Sequence, residues 1–219
     1  PFYKRGCLEY SEPEHPVGEP YSPKYLTCPI RTSLNDLNLL GNIQWYEKFN
    51  SKWDISEKAA LDILEEFISK NIYKYKIGRD YPSSNCNSKL SPYIRFGLIS
   101  VNRIWHTVNN LKIDINVSHF KSEIGWREFS YYLIYHFPHM EYKNLQTKFD
   151  NFRWDNSKTK FKAWCKGDTG FPIIDAAMKE LWETGYMHNR MRMVTASFLV
   201  KNLLIDWKWG EKWFWDCLL

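Results

Sequence analysis

The sequence predicts an all-α protein of several helices, and three observations carry the prediction. From about residue 54 onward, apolar residues recur at the three- and four-residue spacing of a helix face. Ser, Pro and Gly stand where such helices would start and stop. Strand-like alternation is scarce, with no internal repeat and no low-complexity tract.

Residues 1–30 come first. Six of the ten prolines lie within 1–29, so this stretch reads as an extended, irregular lead-in, a linker or wrap-around arm before a helical domain over 31–219. Asp54-Ile-Ser-Glu57 has the form of a capping box, and Ala60, Ile63, Leu64, Phe67 and Ile68 follow at helical spacing. Ser100 caps a short helix through Ile104 and Val108. A longer helix runs from about Val117 to His136 and stops near Pro138. Pro172 suits a first turn and Gly185 a C′ position, which brackets another helix. A further helix runs from about His188 to Asp206, with Met191, Val194, Phe198, Leu199 and Leu203 to pack. A last one starts near Glu211. The stretches 71–92 and 137–170 read as long irregular connections.

Composition narrows the function classes. Of 219 residues, 44% are apolar and 25% charged, which excludes a disordered chain. Mean hydropathy is −0.53, and no run approaches the ~18 apolar residues of a membrane span. Five widely spaced cysteines (Cys7, Cys28, Cys86, Cys165, Cys217) include no C-x-x-C pair, so we expect no disulfide framework, no structural metal and a reducing compartment. The formal charge of +5 permits nucleic acid without requiring it. No secretion or transit signal is visible. Pro1 at one end and the apolar Cys217-Leu218-Leu219 at the other read as cuts, so a fragment is expected. Aromatic residues make up 17% of the chain, with 11 Trp. That is either a large aromatic core or indoles with another use.

Three segments could carry chemistry. Glu123, Trp126, Arg127 and Ser130 share one helix face. They form either an exposed ion pair beside a stray Trp or the polar wall of a large ligand, with a carboxylate acceptor, a guanidinium fork and a stacking ring. Met187-His-Asn-Arg-Met-Arg-Met193 puts two arginines and Asn189 at the start of a helix, which is either a charged helix start or a place for an anion or a flat heterocycle. The apolar run that follows makes the helix buried, which favours a ligand or an ion pair. Residues 148–166 hold six basic side chains against two acidic ones, interleaved with Phe149, Phe152, Trp154, Phe161 and Trp164. Such a run is a nucleic-acid footprint or a solvated face. There is no G-x-G-x-x-G and no P-loop, and His136 and His139 are separated by a proline that spoils them as a metal pair.

TGFPIIDAAMKEL at 169–181 and NRMRMVTASFLVKNLLIDWK at 189–208 resemble the two signature segments of the photolyase/cryptochrome family. KLSPYIRFGLIS at 89–100, EIGWREF at 123–129, RDYP at 79–82 and the opening PFYKRGCLEY resemble further blocks, so the likeness covers nearly the whole chain. Lys179 stands where the family more often has Arg.

The resemblance implies the α-helical flavin domain, with FAD as cofactor and UV-damaged DNA as partner. It implies light-driven splitting of a flipped-out pyrimidine dimer by an electron from reduced flavin, in a monomer free of membranes, in the cytoplasm or wherever the genome is. An antenna chromophore, a folate or deazaflavin, is expected only in a domain before Pro1.

Position by position, the resemblance makes Tyr75 and the turn Asn87-Ser88-Lys89-Leu90-Ser91 contacts to the flavin phosphates or ribose, with Asn87 where Thr is usual. Phe120 and Tyr186 stand in flavin-site places that often hold Trp. Glu123 and Arg127 belong to the boundary between flavin and lesion, and Trp126 packs on the dimer. Asn189 lies beside both, Arg192 near the flavin ring, and Arg79 and Arg190 on the DNA backbone. Trp154 and Trp207 match the distal and middle members of an electron-transfer chain whose proximal member is expected after Leu219. The (6-4)-type members carry His at the positions of Asn189 and Met193, where a proton donor is needed over the lesion. Asn189 with Met193 therefore resembles the class I cyclobutane-dimer branch. WKWGEKWFWDCLL at 207–219 is also similar to plant-type cryptochromes, so a photoreceptor without repair is the alternative.

Overall fold

The computed structural model describes residues 2–9, 12–18, 21, 22, 24, 32, 33, 35–39 and 44–219. Cys28 and most of 19–34 lie outside the described residues. Among the described residues the chain is helical throughout, with no strand and no helix long and apolar enough to cross a membrane.

The helices are α1 (Glu47–Asn50), α2 (Glu57–Lys70), α3 (Tyr75–Gly78), α4 (Ser91–Arg95), α5 (Val101–Asn109), α6 (Ile115–His136), α7 (Lys158–Lys166), α8 (Pro172–Thr184), α9 (Asn189–Ser197) and α10 (Trp207–Cys217). Their starts follow local chemistry. Ser100 accepts from the Arg103 N–H, Asp114 from Asn116 and Val117, Ser157 from Lys160, and Asp206 from Lys208. Each supplies a partner for an orphan amide of a first turn. Pro172 opens α8, and Gly185 closes it at φ 68°. The Leu219 side chain packs where a Cβ on Gly185 would stand, so glycine is needed there for both conformation and space.

Several expectations are corrected. α2 is capped by Ser56, whose side chain accepts from Ala59, and not by Asp54. Ser56 has the extended backbone a cap requires, two residues on from the expected box. α10 begins at Trp207, not near Glu211. Gly210 hides that start in the sequence, yet it is buried against Leu199, where a larger residue would collide. The expected helix over 188–206 is α9 followed by a π-helical turn at Phe198–Asn202. The stretches 71–92 and 137–170 contain α3, α4's first turn and α7. Phe2–Leu8 is a π-helical turn rather than extended chain. Its Tyr3 ring lies against buried Gly125 of α6, a close approach that any Cβ would block.

Two buried clusters hold these helices. One gathers Leu64, Phe67, Tyr75, Val108 and Phe120 from α2, α3, α5 and α6, with Ile72 from the turn between α2 and α3. The other gathers Trp164 of α7, Met178 and Leu181 of α8, Met191 of α9 and Leu199 of the π turn, with Met187 and Ile205 from the flanking connections. Trp164 is fully buried, and its indole N–H donates to Thr195 O at 3.1 Å. Trp53 packs against the first cluster and ties it to the end of α8. Its ring lies 6.0 Å from Tyr93 and 6.3 Å from Tyr186, and its N–H donates to Thr184 O at 2.7 Å.

Candidate functional site

α6 presents Glu123 and Arg127, one turn apart, to a cavity of about 230 Å³. Tyr75, Ser88, Ser91 and Phe120 line the same cavity. Tyr75 is buried, with ring centroids 5.6 Å from Phe67 and 5.2 Å from Phe120. Burial pushes its hydroxyl up to about 12, so it stays neutral and available as a donor.

Glu123 and Arg127 do not pair with each other, which removes the exposed-ion-pair reading of this stripe. Glu123 pairs with Arg79 at the end of α3. The same Arg79 Nη1 lies 3.0 Å from His119 Nε2. Arg127 donates to the Tyr131 hydroxyl at 3.0 Å. Trp126 is 60% exposed and meets Phe129 edge-on at 5.6 Å. Arg79 is only 9% exposed and turned into the protein, so its side chain is not presented to solvent as a backbone contact would be.

The turn into α4 sets the cavity's second side. Asn87 and Ser88 are half-buried, Leu90 is buried, and Lys89 is exposed at φ 54°. A lysine in the left-handed region carries strain, and this one puts its ammonium outside while its neighbours face in. Ser88 Oγ accepts from the Leu90 N–H at 3.5 Å.

The start of α9 does not line this cavity and joins the site through an ion pair beside α3. Arg190 donates through Nε and Nη2 to Asp80 Oδ1, at 2.9 and 2.6 Å. Asp80 adjoins Arg79, so a continuous charge chain runs from α9 through α3 to Glu123 on α6. Asn189 is exposed and Met193 is 56% exposed. Arg192 is half-buried. Its Nε donates to Met187 O at 2.8 Å, and its guanidinium lies 5.9 Å from the Tyr186 ring. Burial lowers its pKa, opposed by Tyr186, and no carboxylate pairs with it among the described residues. Burial raises the Tyr186 hydroxyl.

The segments that carry Trp154 and Trp207 are joined by a hydrogen-bonded seam. Asp155 N donates to Leu204 O at 2.8 Å, and Asp206 N donates to Asn156 Oδ1 at 2.9 Å. The Trp207 indole donates to Asn144 Oδ1 at 2.8 Å, while Trp154 packs 4.4 Å from Phe152. The basic stretch divides. Lys158, Lys162 and Lys166 are exposed and Lys160 pairs with Asp155, whereas Trp164 belongs to the core.

Sequence reasoning missed His119, Asp80 and His188. His119 lies one turn before Glu123, a spacing that could have pointed to it. Its partner Arg79 lies 40 positions away, which no local pattern reveals. His188 caps α9 through Nδ1, which accepts from Arg190 N at 3.1 Å, and its buried Nε2 has no partner among the described residues. The Thr169–Asp175 part of the first signature is structural. Asp175 accepts from Thr169 N and Oγ1 and from Gly170 N, at 2.8, 2.6 and 3.0 Å.

A flavin dinucleotide fits this donor set. Its phosphates need hydroxyl and guanidinium donors, and its ring needs a flat apolar wall with polar edges. Ser88, Ser91, Tyr75 and Arg127 supply the first, Phe120 part of the second, and Arg192 an under-partnered guanidinium for an electron-rich edge. The cavity alone has room for one portion of such a ligand.

Residues 120–219 match the family model described as the FAD binding domain of DNA photolyase. The whole chain is 43% identical over 227 aligned residues to a deoxyribodipyrimidine photo-lyase of Agrobacterium fabrum, spanning 47% of that protein. Over 76% of its length it is 41% identical to cryptochrome-2 of Arabidopsis thaliana, spanning 29% of it. A crystal structure of a class III photolyase from Agrobacterium tumefaciens superposes with a TM-score of 0.92 at 42% identity, covering 99% of this chain and 46% of that one. The chain thus spans about half the length of its Agrobacterium relatives or less of the others. With signature segments, helical architecture and family match in agreement, the chain belongs to the photolyase/cryptochrome family and carries sequence of its FAD-binding domain.

Proposed function

We propose that the protein repairs cyclobutane pyrimidine dimers in UV-damaged DNA under light. The observation that carries this is the charge chain Arg190–Asp80/Arg79–Glu123, which ties the helix bearing Asn189 and Met193 to the helix bearing Trp126. Exposed Trp126 and Met193 offer a ring and a thioether to a flipped lesion. Glu123, held by Arg79, keeps a fixed acceptor at the cavity. Tyr75, Ser88, Ser91, Arg127 and Arg192 bind and orient the flavin, with Asn87, Lys89, Leu90, Phe120 and Tyr186 shaping its seat. Bound FAD, reduced and excited, supplies the electron that opens the dimer. Trp154 and Trp207 conduct electrons toward the flavin, and the seam that fixes them supports that reading. We take the protein to act as a monomer where the genome is, with any antenna chromophore carried by a preceding domain.

The class I reading rests on Asn189 with Met193, while the 42% identity and TM-score of 0.92 to a class III photolyase favour class III instead. The likeness to cryptochrome-2 supports the second reading, a photoreceptor without repair. The test is the intact flavoprotein with an oligonucleotide containing one cyclobutane dimer. Loss of dimer under blue light and none in the dark is expected. Dimer persisting in full with reduced flavin under light would leave the photoreceptor.

A further inference from the structure

We infer that His119 is a positioning residue for this site: its unprotonated Nε2 holds the Arg79 guanidinium against Glu123 and so fixes the Glu123 carboxylate on the cavity wall. This deepens the proposed function and rests on Glu123 facing the bound ligands.

The argument starts from donors and acceptors. A guanidinium only donates. With Arg79 Nη1 at 3.0 Å, His119 Nε2 must accept, so the imidazole is neutral and carries its proton on Nδ1. The same Nη1 contacts Glu123 Oε1, and His119 Nε2 lies 3.8 Å from that oxygen. One NH₂ group therefore bridges two acceptors spaced one helical turn apart on α6.

Arg79 has a competing partner. Asp80 follows it in the chain and already takes Arg190. The other groups around His119 are Tyr75, with its ring 6.2 Å away, and Glu123 itself. Arg79 is buried, so an Nη1 proton that loses its acceptor must find another. Without the His119 nitrogen, the neighbouring carboxylate is Asp80, which already takes Arg190 and does not line the cavity. A turn of Arg79 toward Asp80 would free the Glu123 carboxylate to move. His119 settles that competition in favour of Glu123.

The acceptor can be removed or restored by substitution. His119→Phe keeps a ring against Tyr75 and loses the acceptor. His119→Gln puts an amide oxygen near the place of Nε2. The experiment uses the intact flavoprotein labelled with ¹⁵N at His and Arg. In wild type, the imidazole proton is expected on Nδ1, with Arg79 guanidinium signals protected from exchange. Protection should persist in His119→Gln and vanish in His119→Phe. Affinity for a dimer-containing oligonucleotide should fall about tenfold in His119→Phe and stay within about twofold of wild type in His119→Gln. A proton on Nε2 in wild type would overturn the inference without any variant, as would identical behaviour of the Phe and Gln forms. If the tautomer and the protection pattern are as expected but wild type does not favour dimer-containing over undamaged DNA, the repair reading fails and the positioning of Arg79 stands. If wild type discriminates and His119→Phe discriminates equally, the positioning role fails and the repair reading stands.

Discussion

The α6 side and the α9 side of the site hold their charges in opposite ways. On the α6 side of the cavity the charges have protein partners: Glu123 has Arg79, Arg79 has His119, and Arg127 has the Tyr131 hydroxyl. On α9, Arg190 has Asp80, but Arg192 is half-buried without a carboxylate, and Asn189 and Met193 face outward. The α6 side is organised before any ligand arrives. Under the proposed function, the α9 side is completed by one. Burying a guanidinium without a counter-ion costs stability, and that cost persists in a fold when a ligand later offsets it. The two sides therefore differ in what a mutation should damage: folding on α6, ligand retention on α9.

The largest effect that would break this comparison is on α6. Glu123→Ala leaves the buried Arg79 guanidinium without its counter-ion, and we expect a loss of about 3–5 kcal/mol in urea unfolding of the apoprotein. Glu123→Gln should cost less, because an amide oxygen still accepts. A Glu123→Ala protein as stable as wild type would mean that the pair is not pre-organised.

Next comes Arg192→Met. It removes a half-buried charge that has only Met187 O as acceptor among the described residues, so apoprotein stability should hold or rise slightly. FAD retention on gel filtration should fall, by about 1.5–3 kcal/mol in binding for a lost charge-assisted hydrogen bond. Equal losses in stability and flavin affinity would erase the distinction between the two sides.

His188 tests the seam between them through pH. Burial pushes its pKa down, helped by Arg190, Arg79 and Arg192 and opposed by Asp80. A depressed value means that the folded chain binds fewer protons than the unfolded one. Stability is then intact above the ordinary histidine value of about 6.5 and falls as pH drops below it, until the folded group also protonates. His188→Asn keeps a cap acceptor for the Arg190 N–H. Melting temperatures between pH 7 and pH 5 should fall less in this variant than in wild type. Parallel curves would exclude His188 as the source.

The α6 side was only half legible in the sequence, and the reason is physical. Helix-face arithmetic found Glu123, Trp126 and Arg127, because partners three and four apart are local. It could not decide between an ion pair within the stripe and a wall, because the deciding partner, Arg79, arrives from a different helix. Caps were legible at Ser100, Pro172 and Gly185, where one residue type serves one backbone need. They were misplaced at Ser56 and overlooked at Asp206, where neighbouring residues competed for the same role or Gly210 diluted the periodicity. His188 looked like part of a charged helix start, but its burial and its cap geometry are tertiary facts. On α9 the residue types of Asn189 and Met193 were readable, yet their exposure, which makes them available to a ligand, was not.

The smallest expected effect is on α9, and it bears most directly on function. Asn189 and Met193 have exposed side chains, so Asn189→Ala and Met193→Ala should each change stability by no more than about 0.5 kcal/mol. If the α9 side is completed by ligand, the same changes should lower dimer repair under light and affinity for dimer-containing DNA while leaving affinity for undamaged DNA within error. Arg190→Ala makes the contrast. It breaks the pair with Asp80, partly exposed on both sides, so its stability cost should stay below about 1 kcal/mol, and it should weaken damaged and undamaged DNA alike, as loss of a backbone contact does. A uniform loss for Asn189→Ala, or a selective one for Arg190→Ala, would reverse the assignment of lesion reading to one face of α9 and backbone holding to the other.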